Sequence, residues 1–341
     1  MMDLVEPVLA GDRRALARML TAVEGNSADL SQALAALYPH TGRAWVIGVT
    51  GAPGTGKSSL VNALAKAFRE RGRTVGIIAV DPTSPFSGGA ILGDRIRMRD
   101  LAGDRGVFIR SMATRGSLGG LSRATRDAIR VFDAAGFDII FVETVGAGQS
   151  EVDIVRTAQT TVVIEAPGLG DDVQAIKAGI LEIADVLVVN KADRPGADHT
   201  VRALRAMLEL GHPAPRGTLA VHHGRVVQTA PAMDADDHLW LPPVVETVAT
   251  ENQGISELLQ ALEAHRQYLG RDGIQQGRER EHLEIELFDR LQAALMTRLF
   301  NRVPPEAVAE VVDRMQSREL DPQRAVERLL ALYDGTASSV S

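Results

Sequence analysis

The 341-residue chain contains no cysteine. That absence removes disulfides, zinc knuckles, iron–sulfur ligation and thiol catalysis from the chemistries to consider. A basic excess is missing as well: the net charge is −7 and the pI near 5.7, where a nucleic-acid binder would carry a basic face. No apolar run approaches the length of a membrane span. Residues Met1 to Asp12 mix acids with apolar positions, so no basic stretch leads into an apolar signal core. These absences fit a reducing compartment, with the cytoplasm expected, and neither nucleic acid nor membrane as a partner.

What is present is ordinary for a globular protein with a sizeable core, 45% hydrophobic and 24% charged. The length suits one main domain with helical additions. Residues 1–44 read as a helical extension, because Leu4, Val8, Ala15, Met19, Leu20 and Val23 recur at three- and four-residue steps. Leu30, Leu34 and Leu37 continue the pattern. From 45 to 269, short apolar strands alternate with amphipathic helices. Strands are expected at Trp45–Thr50, Thr74–Val80, Val107–Arg110, Asp138–Val142, Thr161–Glu165 and Asp185–Val189. Helices are expected at Lys57–Arg71, Leu121–Ala135, Asp172–Ile183, Asp198–Leu210 and Ile255–Tyr268. Such alternation predicts an α/β fold, a mostly parallel sheet covered on both faces with ligands at the strand C-termini.

Residues 211–250 read as a loop or short-strand excursion, and Gly270–Gly277 as a hinge. Beyond it, 270–334 reads as a helical arm, in which Leu283, Leu287, Leu291, Leu295 and Leu299 repeat every four residues. Asp321–Pro322 is an expected N-cap with proline at the first helical position. So apolar an arm packs either on its own domain or on a second copy of the chain, and the size of the patch favours the second copy. The small polar tail 335–341 is expected to be disordered.

Gly51-Ala52-Pro53-Gly54-Thr55-Gly56-Lys57-Ser58 fits G-x-x-x-x-G-K-[ST], between an expected strand and a helix that continues through Ser59. Small residues let backbone N–H groups converge on phosphate oxygens, and the helix N-terminus adds its dipole. In that pattern Lys57 neutralises the β- and γ-phosphates and the Ser58 hydroxyl ligates Mg²⁺. Magnesium needs further oxygens from neighbouring strand tips. Glu143 follows an expected strand and suits contact with the metal, directly or through water, and ordering of the attacking water. Gly146 could offer its N–H to the γ-phosphate. Asp81 and Asp94 flank a proline- and glycine-rich stretch that reads as a switch loop; each is a metal or metal-water ligand or else a turn cap.

Asn190-Lys191-Ala192-Asp193 fits N-K-x-D after a strand. Asp193 can accept from both N1–H and the exocyclic amine of guanine, whereas adenine presents a lone pair at N1. Leaving a buried carboxylate unpaired costs about 1–3 kcal/mol or more, so GTP is preferred over ATP. Lys191 lays its stem over the base and Asn190 ties the loop together. Val248-Ala249-Thr250 lies where a second base-contacting turn is expected, with a plain loop as the alternative.

With these loops in place the chain resembles the methylmalonyl-CoA mutase-associated GTPases, the MeaB/ArgK group whose human relative is the MMAA protein. The matching residues include Asp81–Pro85, Gly88–Asp94 with Arg95, Arg97 and Met98, Glu143–Glu151, Asn190–Asp193, and Pro167–Asp172 with Lys177. Gly254-Ile255 and His265–Leu269 match too. The resemblance implies a SIMIBI-type P-loop NTPase fold with a C-terminal dimerisation arm. It implies a Mg²⁺-dependent GTPase that converts GTP to GDP. Such proteins are chaperones of a cobalamin-dependent acyl-CoA mutase, gating adenosylcobalamin loading, protection and reactivation. The chaperone itself binds no cobalamin, forms a homodimer, and has an adenosyltransferase of the same pathway as a further candidate partner. By the same resemblance Lys177 moves toward the nucleotide when the partner engages; a solvated lysine on a helix face is the alternative. The stretch 212–247 matches the group poorly. A metal-insertion maturation GTPase, using His222, His223 and His238, stays open as an alternative, and a small-molecule kinase as a weaker one.

Overall fold

The computed structural model describes residues 1–25, 27, 29–82, 98–101, 103–114, 123–144, 157–168, 183–210, 220–222, 225–227, 240–271 and 273–334. The side chains of 81, 82, 99, 113, 114, 210, 220–222 and 225–227 are not described. The expected helix over 172–182, the tail 335–341, and Asp94, Gly146 and Lys177 lie outside the described residues. The chain divides into two compact units, Met1–Gln275 and Gln276–Ser341.

The first unit is built on a parallel sheet. Its strands are β1 (Trp45–Gly51), β2 (Val75–Pro82), β3 (Val107–Thr114), β4 (Ile139–Thr144), β5 (Thr160–Glu165) and β6 (Val186–Asn190). A hairpin of β7 (Ala220–His222) and β8 (Arg225–Val227) stands apart, and β9 (Val244–Thr247) joins the main sheet. The seven-stranded order is β3-β2-β4-β1-β5-β6-β9, every pairing parallel. β1 is therefore central, with β4 beside it. β9 falls within the stretch read as a loop or short strand; four residues behind Pro242-Pro243 are too few to place in a sheet until they pair with β6.

The apolar runs in these strands are continuous because both faces are covered. Side chains alternate across the pleat. Trp45, Ile47 and Val49 of β1, with Ile77 and Phe141, face α4 (Lys57–Glu70) and a late helix over Ile255–Leu269. Val46, Ile78, Val80, Ile140 and Val142 face the opposite layer. That layer contains α1 (Val5–Leu9), α2 (Arg13–Gly25), α3 (Leu30–Leu37) and α5 (Arg123–Ala134). The N-terminal extension is thus one cover of the sheet. Met19 and Leu20 are fully buried there, and the Arg13 guanidinium donates to the carbonyls of Arg105 and Val107 at 2.8 Å each. α6 (Ala197–Leu210) follows the N-K-x-D motif and packs on Val189 of β6, and α7 (Ile255–Leu269) closes the unit.

Carboxylates fasten the N-terminal edge of the sheet, where backbone N–H groups precede the ladder and would otherwise be orphaned. Asp133 accepts from the amides of Gly42 at 2.6 Å and Ala44 at 2.9 Å, just before β1. Asp138 accepts from the amide of Thr74 at 2.7 Å, just before β2. Asp185 accepts from the Thr161 amide in β5 at 2.8 Å.

The second unit holds most of α8 (Ile274–Arg302), then α9 (Pro305–Gln316) and α10 (Pro322–Asp334). The glycine hinge is shorter than expected, for α8 begins at Ile274 and runs through Gly277. One helical glycine costs only about 1 kcal/mol relative to alanine, and the Glu, Arg and Leu that follow are good helix formers. Asp321 caps α10 by accepting from the amides of Gln323 at 3.0 Å and Arg324 at 3.1 Å. α9 and α10 are joined by the Arg328–Glu310 pair at 2.9 Å. Leu283, Leu287, Phe288, Leu291, Leu295, Met296 and Phe300 of α8 are all exposed. No helix among the described residues is long and apolar enough to cross a membrane.

Candidate nucleotide site

At the C-terminal edge of the sheet, β1 ends in the glycine-rich turn and α4 begins. Glycine is dictated by geometry at two of its positions. Gly51 has φ +140°, and a Cβ there would sit 2.1 Å from the Ile164 carbonyl oxygen of β5. Gly56 has φ +97°, and a Cβ there would sit 2.3 Å from the Asn190 side-chain amide. Both are conformations that side chains rarely adopt. Between them, the Thr55 hydroxyl donates to the Ala52 carbonyl at 2.9 Å and folds the turn upon itself.

Lys57 is buried at the foot of this turn, its ammonium donating to the carbonyls of Gly51 at 2.8 Å and Ala52 at 3.0 Å. An ammonium so placed, at the foot of a glycine-rich turn, suits phosphate oxygens as partners. Ser58, one residue on, is also buried and donates to Glu143 Oε1 at 2.6 Å. Glu143 reaches it because β4 pairs with β1 in register, Val49 opposite Glu143, which brings the strand tip beside the start of α4. One residue further, the Thr144 hydroxyl donates to that of Thr50 at 3.0 Å and ties the two tips together. The metal question turns on these donors. A hydroxyl and a carboxylate, both buried and in contact, form an oxygen-only set that suits a hard divalent cation such as Mg²⁺ and not a softer metal. Asp81 has its backbone at the end of β2, with its side chain outside the description.

The guanine side is assembled around Asn190, itself buried. Its amide nitrogen donates to the Thr55 carbonyl at 2.8 Å, reaching across the space that Gly56 leaves open. Its Oδ1 accepts from the Thr247 hydroxyl and from the Ala249 amide, both at 3.1 Å. One side chain thus fastens the phosphate turn, the end of β6 and the 248–250 turn together. Lys191, in the left-handed region at φ +59°, donates its ammonium to the Gly54 carbonyl. Asp193 is exposed at the rim, as are Pro53, Gly54 and Thr250, whereas Val248 and Ala249 are buried. Ser59 is half-buried in the first turn of α4. Thr247 and Thr50 escaped sequence reasoning; a threonine at a strand end is too common to signal anything until register brings it beside Asn190 or Thr144. Among the described residues no group of three or more His, Asp or Glu could hold a metal ion. The side chains of His222, His223 and His238 are outside the description.

Residues 16–303 match the family described as "Methylmalonyl Co-A mutase-associated GTPase MeaB". This chain belongs to the MeaB family. A Pyrococcus abyssi protein whose name marks it as a GTPase is 46% identical, across 99% of this chain and 98% of that one. The Caenorhabditis elegans protein "Methylmalonic aciduria type A homolog, mitochondrial" is 29% identical, across 97% and 82%. The crystal structure titled "LAO/AO transport system kinase" superposes with a TM-score of 0.70 at 25% identity, covering 97% of both chains. As a MeaB-family protein the chain is a GTPase with the P-loop fold, and it binds and hydrolyses GTP.

Proposed function

We propose that this MeaB-family GTPase is a G-protein chaperone of a cobalamin-dependent acyl-CoA mutase, methylmalonyl-CoA mutase or a close relative. The observation that carries the reading is the match to the mutase-associated family across residues 16–303, spanning both the nucleotide unit and α8. In this reading the GTP cycle gates adenosylcobalamin loading, protection and reactivation in the partner, and the chaperone itself holds no cobalamin. The protein acts in the cytoplasm, and an adenosyltransferase is a further partner.

Within the site, Lys57 and the amides of Gly51 to Ser59 hold the triphosphate, with Gly146 added at the γ-phosphate. Ser58 and Glu143 would hold Mg²⁺, joined by Asp81 and Asp94. When bound, the ion would supply charge neutralisation for the transferred phosphoryl group. Glu143 orients the attacking water in this reading, which its buried contact with Ser58 at the tip of β4 supports. Asn190, Lys191, Asp193 and the Val248–Thr250 turn select guanine. Lys177 completes the catalytic set when the mutase binds. The exposed apolar face of α8 packs on a second copy of the chain, making a homodimer.

The test is GTP turnover by the full chain with and without methylmalonyl-CoA mutase, alongside co-migration of the two in gel filtration with GTP present. A stimulation of about tenfold or more is expected, since completing a phosphoryl-transfer site in trans has large effects. Turnover that saturating mutase leaves unchanged, without co-migration, would remove the mutase as partner and leave the GTPase intact.

A further inference from the structure

At the N-terminal edge of the sheet, far from the nucleotide turn, lies a buried polar chain that GTP binding does not obviously need. The Trp45 indole N–H donates to the Thr160 hydroxyl at 3.0 Å, and that hydroxyl lies 2.9 Å from His265 Nδ1. His265 Nε2 lies 3.2 Å from Asp185 Oδ1, somewhat off the hydrogen-bond axis. Thr160 and His265 are fully buried, and Asp185 nearly so. The Trp240 ring covers the imidazole at 4.9 Å, and its N–H donates to the Asp185 carbonyl at 2.7 Å. Because Thr160 already accepts from Trp45, its own proton is available to Nδ1, which leaves the imidazole proton on Nε2 facing the carboxylate. Polar groups are expensive to bury, and a hydrophobic filler could have closed this space more simply.

Where the chain's members lead explains its place. Asp185 precedes β6, and β6 ends five residues later at Asn190. His265 is near the end of α7, and α7 starts just beyond the 248–254 turn. From Asp185 to Asn190 the strand spans roughly 16 Å, and from Ile255 to His265 the helix spans roughly 15 Å. β6 and α7 are therefore struts of equal length, running in opposite directions along the chain. They are bridged at the site end by the Ala249 amide on Asn190 and at the far end by His265 on Asp185. Gly254 fixes the site end further: at φ +71° it lies so close to β9 that a Cβ would meet the Glu246 carbonyl at 2.0 Å. Thr160 and Trp45 extend the far brace to β5 and to β1, the strand that carries the phosphate turn.

We propose that His265 is a positioning residue for guanine recognition, holding α7 in register with β6 so that the 248–250 turn meets the base that Asp193 reads. The proposal rests on the assignment of 190–193 and 248–250 as the base site. A sliding α7 would pull the 248–250 turn off Asn190, whereas the phosphate turn keeps its own bonds, Lys57 on Gly51 and Ala52 and Thr55 on Ala52. The effect therefore falls on discrimination between bases, not on phosphate affinity.

The test is calorimetric titration of the full-length protein with GDP and with IDP, which lacks the exocyclic amine, and competition by inorganic pyrophosphate. Wild type should prefer GDP by about tenfold, one charge-assisted hydrogen bond. His265→Leu should lose most of that preference. Thr160→Val, isosteric and at home in a strand, should lower it about threefold, with pyrophosphate affinity unmoved. His265→Gln, which keeps a donor toward Asp185, should restore it. Simple destabilisation cannot mimic this result, because both nucleotides report on the same folded fraction. Where His265→Leu does not fold, Thr160→Val decides the matter alone. A wild-type preference kept intact by Thr160→Val and by any folded His265→Leu would overturn the inference and leave the base site standing. A wild type indifferent to GDP and IDP would overturn the base-site assignment itself.

Discussion

The two units of this chain treat their apolar side chains in opposite ways. In Met1–Gln275 the leucines, isoleucines and valines of strands and helices are hidden, with Ile47, Leu60, Ile77 and Leu64 among the fully buried. In Gln276–Ser341 a run of large apolar residues is displayed, with Leu287 at 64% and Phe300 at 51% exposure, although Ile285, Val303 and Val311 are buried. Among the polar groups that the first unit buries, Lys57, Ser58, Glu143 and Asn190 gather at the C-terminal edge of the sheet. A folded unit that spends burial on charge leaves a place for a ligand; one that leaves burial unspent leaves a place for a protein. Under the proposed homodimer, the difference separates two tasks, nucleotide chemistry and assembly.

The strongest way to break that comparison is Lys57→Ala. If Lys57 is buried for the ligand, the variant loses GTP affinity by a factor of about 100 or more, the worth of one or two charge-assisted hydrogen bonds. Its thermal midpoint should move little beside that loss, because the desolvation cost of the charge is removed together with its hydrogen bonds to Gly51 and Ala52. Equilibrium binding and a melting curve check both halves. A variant that binds GTP normally but unfolds early would make Lys57 a structural residue.

The double variant Leu287→Asp/Leu291→Asp probes the other unit. Both residues are exposed on α8. Under the proposed homodimer each leucine buries apolar area worth up to about 1.5–3 kcal/mol, so two aspartates on each protomer should raise the dimer dissociation constant by a factor of at least about 100. Sedimentation should then report a monomer that still binds GTP within about twofold of wild type, an effect smaller than the noise of additive distant sites. An unchanged sedimentation coefficient would leave the apolar face without this occupant.

Sequence and structure agree best where the decisive contacts are local. The P-loop could be read because strand, glycines, lysine and serine are consecutive, and Gly51 and Gly56 are required by a geometry the motif itself creates. The buried faces of α2 and α4 could be read because helical period alone sets them. Register could not. Nothing in Glu143 or its neighbours announces that β4 lies beside β1, and the Ser58–Glu143 contact exists only through that pairing. The same holds for Thr247 and Ala249 on Asn190, and for His265 on Asp185, partners 57, 59 and 80 residues apart. Their chemistry is plain only when the sheet order is known. β9 falls in a stretch read as a loop or short strand for the same reason: Val244, Val245 and Thr247 favour a strand, but only the pairing with β6 gives it a place in the sheet.

The smallest expected effect comes from an acid that belongs to neither task. Asp138 sits at the N-terminal edge, accepting from the Thr74 amide and hydroxyl and facing Arg73. Burial works to raise its pKa, but the Thr74 hydrogen bonds and the Arg73 charge outweigh it and hold the carboxyl below its ordinary 3.8. A depressed carboxylate contributes stability that is present above its unfolded pKa and lost as pH falls through the folded one. Asp138→Asn should therefore destabilise the protein at pH 7 by about 1 kcal/mol, a figure kept low because the side chain is partly exposed and screened. In urea unfolding the gap between variant and wild type should close as the pH drops below 3.8. GTP affinity should not move, since the Thr74 clamp lies at the opposite end of β2 from Asp81. A gap that persists in acid would mean that the carboxylate acts through shape and not through charge.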